Sequence, residues 1–416
     1  MNKGKLFLIF APIIPTFAMF CGSCSSFGPQ FHPYVYDLPC IYIATENNTP
    51  ITTKEYYINC DVNIKNTSEQ YRLSNEPGKI RGRGNSTWTF PDKKPYKLKF
   101  DKKIPLFGNK EAKTWVLLAN HYDTSLIRNY LALSVGSLFT TQIYTSSSEF
   151  VDLYVNNDYR GVYQVCDQVE VKKNRVDIET PYGEPNNTSY LIELDDYAPE
   201  EGTIDIDYVT VNGGNYSLKF PETDSSEYDP KYAAYLKEYL ITCFTALDSN
   251  VWSNVNDLID VQTFADSYVI NELFKPGDVY KKSFYVYINK KDGNGKLSAG
   301  PIWDYDLSCG NVWPGSPEIH YDQIYATQNI WFKKLIKFTE FQEMVKTNIT
   351  NYMDNIIYTI NSKSQEILKI PNSFEQNFMK WYKSLLYKDW MYEVNNLKLW
   401  LLNSLQYMYE YYCKNK

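Results

Sequence analysis

The chain has 416 residues and a formal net charge of -7, long enough for one large domain or two lobes and too long for a small stapled scaffold. Hydrophobic residues at 44% and charged residues at 22% are the mix of a chain that folds rather than stays disordered. The acidic balance argues against a nucleic-acid binder with a basic face, while 38 tyrosines suit either an aromatic core or a surface that stacks on sugars.

Lys3 and Lys5 precede an apolar run, Leu6 to Phe20, and small residues then surround Cys21 and Cys24. This succession reads as an export signal. The run carries Pro12 and Pro15 and falls short of the ~20 helical residues that span a bilayer. The pattern resembles a bacterial lipoprotein signal, which implies cleavage before a cysteine that is then acylated. Gly22 and Ser23 precede Cys24, so Cys24 is the expected lipidation site, residues 1–23 the signal peptide and 24–37 a linker. The expected location is outside the cytoplasm, on the periplasmic or cell-surface side of a bacterial membrane held through the lipid anchor.

Six further cysteines, Cys40, Cys60, Cys166, Cys243, Cys309 and Cys413, are spaced too widely and irregularly for a dense disulfide framework. No second CxxC and no HExxH supplies metal-site spacing, and three histidines make a zinc site a poor expectation. A GxSxG nucleophile elbow is absent as well.

From Leu38 to Phe220, short β-branched and aromatic runs alternate with turn residues: Ile41–Ile43, Tyr56–Ile58, Tyr96–Phe100, Val151–Val155 and Tyr190–Leu194, with Asn156-Asn157-Asp158 and Asn212-Gly213-Gly214 between strands. One helix is predicted inside this stretch, about Asp123 to Leu138, with Asp123 or Thr124 as its cap. After Ser225 the period changes. Residues 229–273 and 328–411 space their apolar positions by three and four, so this half should be helical apart from a β-rich island at Ser283–Ile302. The plan is α+β and bilobal: a β-rich lobe over 38–225, a mainly helical lobe over 226–416, and a ligand cleft between them.

Four segments carry candidate chemistry. Arg81-Gly-Arg-Gly-Asn-Ser-Thr-Trp88 joins planar Arg donors to glycines that let backbone approach an anion, although a basic turn with a core-anchored Trp is an equal reading. In Lys93–Phe100, Tyr96, Leu98 and Phe100 point one way along a strand and Lys97 and Lys99 the other; a strand lysine facing a cleft can bind phosphate, and a solvated face is the plainer alternative. Asp278, in the turn Gly277–Lys281 before an aromatic strand, is poised to accept a proton or is an ordinary turn residue. In Gly300–Asn311, Asp304 and Asp306 lie two apart and would share a face in a strand beside Ile302 and Trp303. Buried carboxylates need a partner, and Mg²⁺ or Mn²⁺ suits their hard oxygens; an N-cap with an Arg salt bridge is the other solution.

The blocks Ile80–Trp88, Lys94–Lys99, Trp115–Asn120, Leu126–Asn129, Tyr159–Tyr163, Tyr190–Asp195 and Pro301–Asp306 resemble, in order, the CotH family of spore-coat protein kinases, over roughly residues 38–315. The resemblance implies an atypical kinase-like fold without the usual Gly-rich loop, which moves phosphate from ATP to Ser or Thr of an unknown protein substrate. It implies that Asp278 is the catalytic aspartate and Asp304 the metal-binding one, with Asp306 in reserve. Lys97 is preferred over Lys94 for the phosphates on the strand-face argument. Arg81, Arg83 and Asn85 are further nucleotide-contact candidates, the two arginines alternatively pairing with Glu193 and Asp195. Two positions depart from the family pattern. Ser283 stands where relatives tend to have Asn, the second metal ligand of a kinase catalytic loop, and Asp167 where they usually have Glu. The competing expectation is therefore a non-catalytic surface lipoprotein, a pseudokinase acting as a protein- or glycan-binding adhesion module; a glycoside hydrolase with paired carboxylates is a third.

Overall fold

The computed structural model describes residues 37–382 and 390–414; the signal segment, Cys24 and most of the linker lie outside the described residues. The first strands are β1 (Cys40–Thr45), β2 (Ile58–Lys65), β3 (Leu73–Gly82), β4 (Tyr96–Ile104), β5 (Ala112–Leu118), β6 (Ser148–Val155) and β7 (Asp158–Asp167). They close into a barrel in the order β1-β2-β3-β4-β5-β7-β6. The closing seam is the parallel pair β1–β6, which leaves no unpaired barrel edge. Strand periodicity fills the interior: Ile41, Ile43, Val62, Ile64, Ile80, Leu98, Phe100, Trp115, Leu117, Val151, Leu153 and Val165 form one buried cluster. Lys97 and Lys99, which alternate with Leu98 and Phe100, are left on the outer face.

Two short helices and one longer one interrupt the strands: α1 (Ser86–Thr89), α2 (Arg128–Gly136) and α3 (Ala198–Glu201). The helix expected from Asp123 starts at Arg128 instead. Asp123 is not an N-cap but the centre of a turn, where its carboxylate accepts from Ser125 N at 2.9 Å, Ser125 Oγ at 2.6 Å and Arg128 N at 2.8 Å. Leu126 takes a left-handed φ of 66° there, which no helix allows.

A second, antiparallel sheet has the order β12-β11-β8-β10-β9, from β8 (Tyr190–Leu194), β9 (Tyr208–Val211), β10 (Gly214–Phe220), β11 (Phe284–Ile288) and β12 (Leu297–Ala299). The β-rich island expected at 283–302 thus exists as β11 and β12. It pairs with β8, so the sheet takes strands from both sides of residue 225. One face, with Ile192, Leu194, Val286, Ile288 and Val209, joins the main core; the other, with Leu191, Phe220, Tyr285 and Tyr287, packs on Val171, Val176 and Ile178.

The helical part comprises α4 (Lys231–Asp248), α5 (Trp252–Leu258), α6 (Val261–Phe274), α7 (Ile330–Leu335), α8 (Thr339–Leu368), α9 (Pro371–Trp381) and α10 (Trp390–Tyr409). The chain is α+β, sheet-rich in its N-terminal region and helical in its C-terminal region. All but one residue of α6 are buried, the signature of a helix surrounded by packing partners; its end delivers the loop that contains Asp278. No helix among the described residues is long and apolar enough to cross a membrane. Cys40, Cys60, Cys166, Cys243, Cys309 and Cys413 are free thiols.

Candidate active site

A polar cavity of about 240 Å³ collects side chains from α1, β8, β10, the loop after α6 and the loop after β12. Of the residues singled out in the sequence, Arg83, Asn85, Asp278, Asp304 and Asp306 line it, as does Ser283. Arg81 and Lys97 do not. Arg81 hydrogen-bonds the Lys54 carbonyl and lies 5.1 Å over the Tyr57 ring. Lys97 is its direct cross-strand neighbour, and Lys79 faces Lys99 two pairs along, on the same face. Such like-charge pairs are destabilising. Burial, then Arg81, lower the Lys97 pKa to about 8. Neither arginine pairs with Glu193 or Asp195.

The two aspartates of the Trp303–Asp306 run do not sit in a strand. Their segment is irregular loop, and Asp304 has φ 70°, a conformation that costs energy outside glycine and is concentrated at functional sites. The turn brings Asp304 and Asp306 into one cavity although alternation is lost. Arg128 and Asn129 hold this loop from both flanks: Arg128 Nε donates to the Ser308 carbonyl at 2.9 Å, and Tyr305 N donates to Asn129 Oδ1 at 2.6 Å. Arg128 is itself held by Asp123 at 2.5 Å. Ser283 Oγ donates to Asp304 Oδ2 at 3.0 Å, and Ser283 also has a left-handed φ of 57°. Burial, then Asp304, raise the Asp306 carboxyl well above the usual range.

Lys275 ends α6 in the left-handed conformation, φ 47°, and Pro276 and Gly277 follow it into Asp278. Two main-chain bonds tie this loop to the Asp304 loop, Gly277 N to the Leu307 carbonyl at 2.8 Å and Cys309 N to the Phe274 carbonyl at 2.7 Å. Asp278 Oδ2 faces Lys282 Nζ at 3.2 Å. Burial raises the Asp278 pKa against the pull of Lys282, and Asp304 adds to the rise.

Two contributors escape the sequence reading as site residues. Lys282 follows Asp278 by four, a spacing that could have been noticed. Lys219 could not: strand period puts it on the Ser217 face of β10, and only the pairing of β10 with β8, Ser217 opposite Glu193, turns that face to the cavity. There Lys219 Nζ meets Glu193 at 2.9 Å and Asp195 at 3.7 Å; burial alone would lower Lys219, but Glu193 raises it. Asp167 serves elsewhere, paired with Arg175 at 2.7 Å and accepting from Ser147 Oγ at 2.8 Å.

The lining carries six carboxylates, Glu193, Asp195, Glu201, Asp278, Asp304 and Asp306, against the three cations Arg83, Lys219 and Lys282. A partly buried surplus of this kind fits a divalent cation. Among the described residues no three His, Cys, Asp or Glu side chains are grouped so as to hold a metal by themselves. Magnesium needs no such cage, since it binds through one or two carboxylates and takes its other oxygens from phosphates and water.

Residues 80–408 match the family described as CotH kinase protein. This is most of the chain, helical tail included, and the chain belongs to the CotH kinase family. No curated protein is significantly similar to it.

Lys97 stands on the barrel's outer face directly opposite Arg81. Its lowered pKa means that its charge opposes folding fully below about pH 8, and that this cost fades as pH rises toward the unfolded value near 10.4. Glu170 would keep Arg175 and Lys172 as counter-charges. Lys97→Met is therefore expected to raise the melting temperature at pH 7, to raise it less at pH 10, and to leave ligand binding in the cavity unchanged. Thermal unfolding at the two pH values checks the first two, and a loss of nucleotide binding would refute the third.

Proposed function

We propose that the protein is an exported, membrane-anchored kinase that transfers the γ-phosphate of ATP to Ser or Thr of a protein, with Mg²⁺ or Mn²⁺. The observation that carries this reading is the meeting of Asp278, Asp304 and Asp306 with Lys219 and Lys282 in one polar cavity. The bilobal kinase-like arrangement is part of the proposal, with the barrel and second sheet above and the helices below. Export and acylation at Cys24 rest on the N-terminal signal pattern.

Phosphoryl transfer asks for positioning and charge more than for covalent chemistry. Asp278 would orient the acceptor hydroxyl and take its proton, and its raised pKa brings its basicity closer to neutral pH. Lys282, tethered to Asp278, and Lys219, braced by Glu193, would face the phosphate oxygens; Arg83 and Asn85 would close the cavity from the α1 side. Asp304 and Asp306 would hold the metal, which when bound neutralises phosphate charge. Lys219 takes the place first given to Lys97, because its ammonium points into the cavity.

Ser283 favours a second reading. Its hydroxyl is a shorter and poorer metal ligand than Asn and is engaged with Asp304 at 3.0 Å, which suits a pseudokinase that binds nucleotide or a partner without transfer. The deciding experiment gives the full chain labelled ATP, Mg²⁺ or Mn²⁺ and a generic acceptor protein. The expected result is metal-dependent label on Ser or Thr. No label, with ATP still raising the melting temperature, would establish the pseudokinase; neither label nor a shift would leave the adhesion module.

A further inference from the structure

The cavity opens beside Asp278 into a wider groove of about 670 Å³. The two spaces share Ser86, Tyr197, Asp278, Lys282 and Leu307. They divide the carboxylates unequally: Asp304, Asp306 and Glu193 line only the inner cavity, whereas Asp278 lines both. Under the kinase reading, on which this inference rests, the inner space is the donor side and the groove is the side from which an acceptor hydroxyl reaches Asp278.

The groove walls are aromatic. Phe90 is 68% exposed and Tyr280 39% exposed. Phe90 meets Trp313 edge-on at 5.8 Å, and Trp313 meets Tyr122 at 5.1 Å, so the pair is braced from behind. Tyr325 completes the wall, its amide donating to Glu272 Oε2 at 2.8 Å. Exposed aromatics gathered in one concave surface mark a binding site rather than a folding requirement. Each groove cation lies beside a carboxylate, Lys281 with Asp196 at 3.6 Å and Lys282 with Asp278 at 3.2 Å, and Glu318 adds another to the lining, so the groove's charge does not select an acidic acceptor.

We propose that the groove is the acceptor subsite for a polypeptide carrying a bulky apolar or aromatic side chain near its Ser or Thr, read by Phe90, Trp313, Tyr280 and Tyr325. The acceptor O–H proton passes to Asp278 as the oxygen forms its bond to the γ-phosphorus and the bond to the ADP leaving oxygen breaks.

The test presents the full chain in detergent with serine peptides differing only in a flanking Phe, Leu, Asp or Lys, and compares wild type with Phe90→Ala and Trp313→Ala. The expected kcat/KM is highest for the Phe and Leu peptides by about tenfold, the factor that ~1.4 kcal/mol supplies. The two variants are expected to raise the KM for those peptides by a similar factor and leave the KM for ATP unchanged. Equal rates across the panel, transfer to an oligosaccharide hydroxyl in preference to every peptide, or weakened ATP binding in Phe90→Ala would overturn the proposal. Calorimetric titration of the Phe peptide with Ser replaced by Ala needs no transfer. Trp313-dependent binding there upholds the groove even if the kinase reading fails, and no binding refutes it.

Discussion

Asp278→Asn is expected to lower phosphoryl transfer by about 10²–10⁴-fold, the range for loss of a positioned general base, without weakening ATP binding. The amide keeps the shape of the carboxylate but cannot take a proton from the acceptor. It also releases Lys282, whose ammonium sits 3.2 Å from Asp278 Oδ2, so nucleotide phosphates gain a free cation. Asp304→Ala should behave differently. It removes an oxygen donor and leaves Ser283 Oγ without its 3.0 Å acceptor, so metal-dependent nucleotide binding and transfer should fall together. Single-turnover transfer and the ATP-induced shift in melting temperature, measured on both variants in Mg²⁺ and Mn²⁺, separate the two roles. Full transfer by Asp278→Asn, or an equal loss of the thermal shift in both, would show that the division of labour is wrong.

What was legible in the sequence was what sits in contiguous, unusual runs. Asp278 is bracketed by Gly277 and an aromatic strand, and Asp304 and Asp306 lie between a Trp and a Tyr. Local sequence of this sort encodes loop position directly, and all three line one cavity. The strand-face argument for the Asp pair does not hold, because the segment is irregular loop with Asp304 at φ 70°; the two share the cavity without strand alternation. Strand period also placed Lys97 and Leu98 on opposite faces, as observed, yet period alone does not say what stands opposite a face. That depends on barrel closure through β1 and β6, whose partners lie more than 100 residues apart. Lys219 was illegible for the same reason: strand period puts it on the Ser217 face of β10, and only the pairing with β8 shows that this face meets Glu193. Asp123 misled because an Asp before an apolar helical pattern reads as a cap, and only the folded chain shows its oxygens committed to a turn and to Arg128.

Lys275→Met is expected to destabilise the fold by about 3–5 kcal/mol, the cost of leaving one member of a buried ion pair uncompensated. Lys275 and Glu272 have no exposed side-chain surface, and their charged atoms are 2.5 Å apart. Burial pushes Glu272 up and Lys275 down, and each is drawn back by the other, so the pair persists only while both members are present. The site depends on it as well. Glu272 Oε2 accepts from the amides of Tyr325 at 2.8 Å and Ala326 at 2.7 Å, which fastens the groove wall to the end of the helix that delivers Asp278. Glu272→Gln combined with Lys275→Met retains an oxygen for those two amides and removes both charges, so the double variant should melt well above Lys275→Met alone. Replacing a whole buried pair by neutral groups is often close to neutral, whereas halving it is not. Thermal unfolding of the single and double variants checks the ordering. If the double variant melts no higher than Lys275→Met, the uncompensated charge is not what destabilises the single variant, and the loss comes from packing around Lys275 instead.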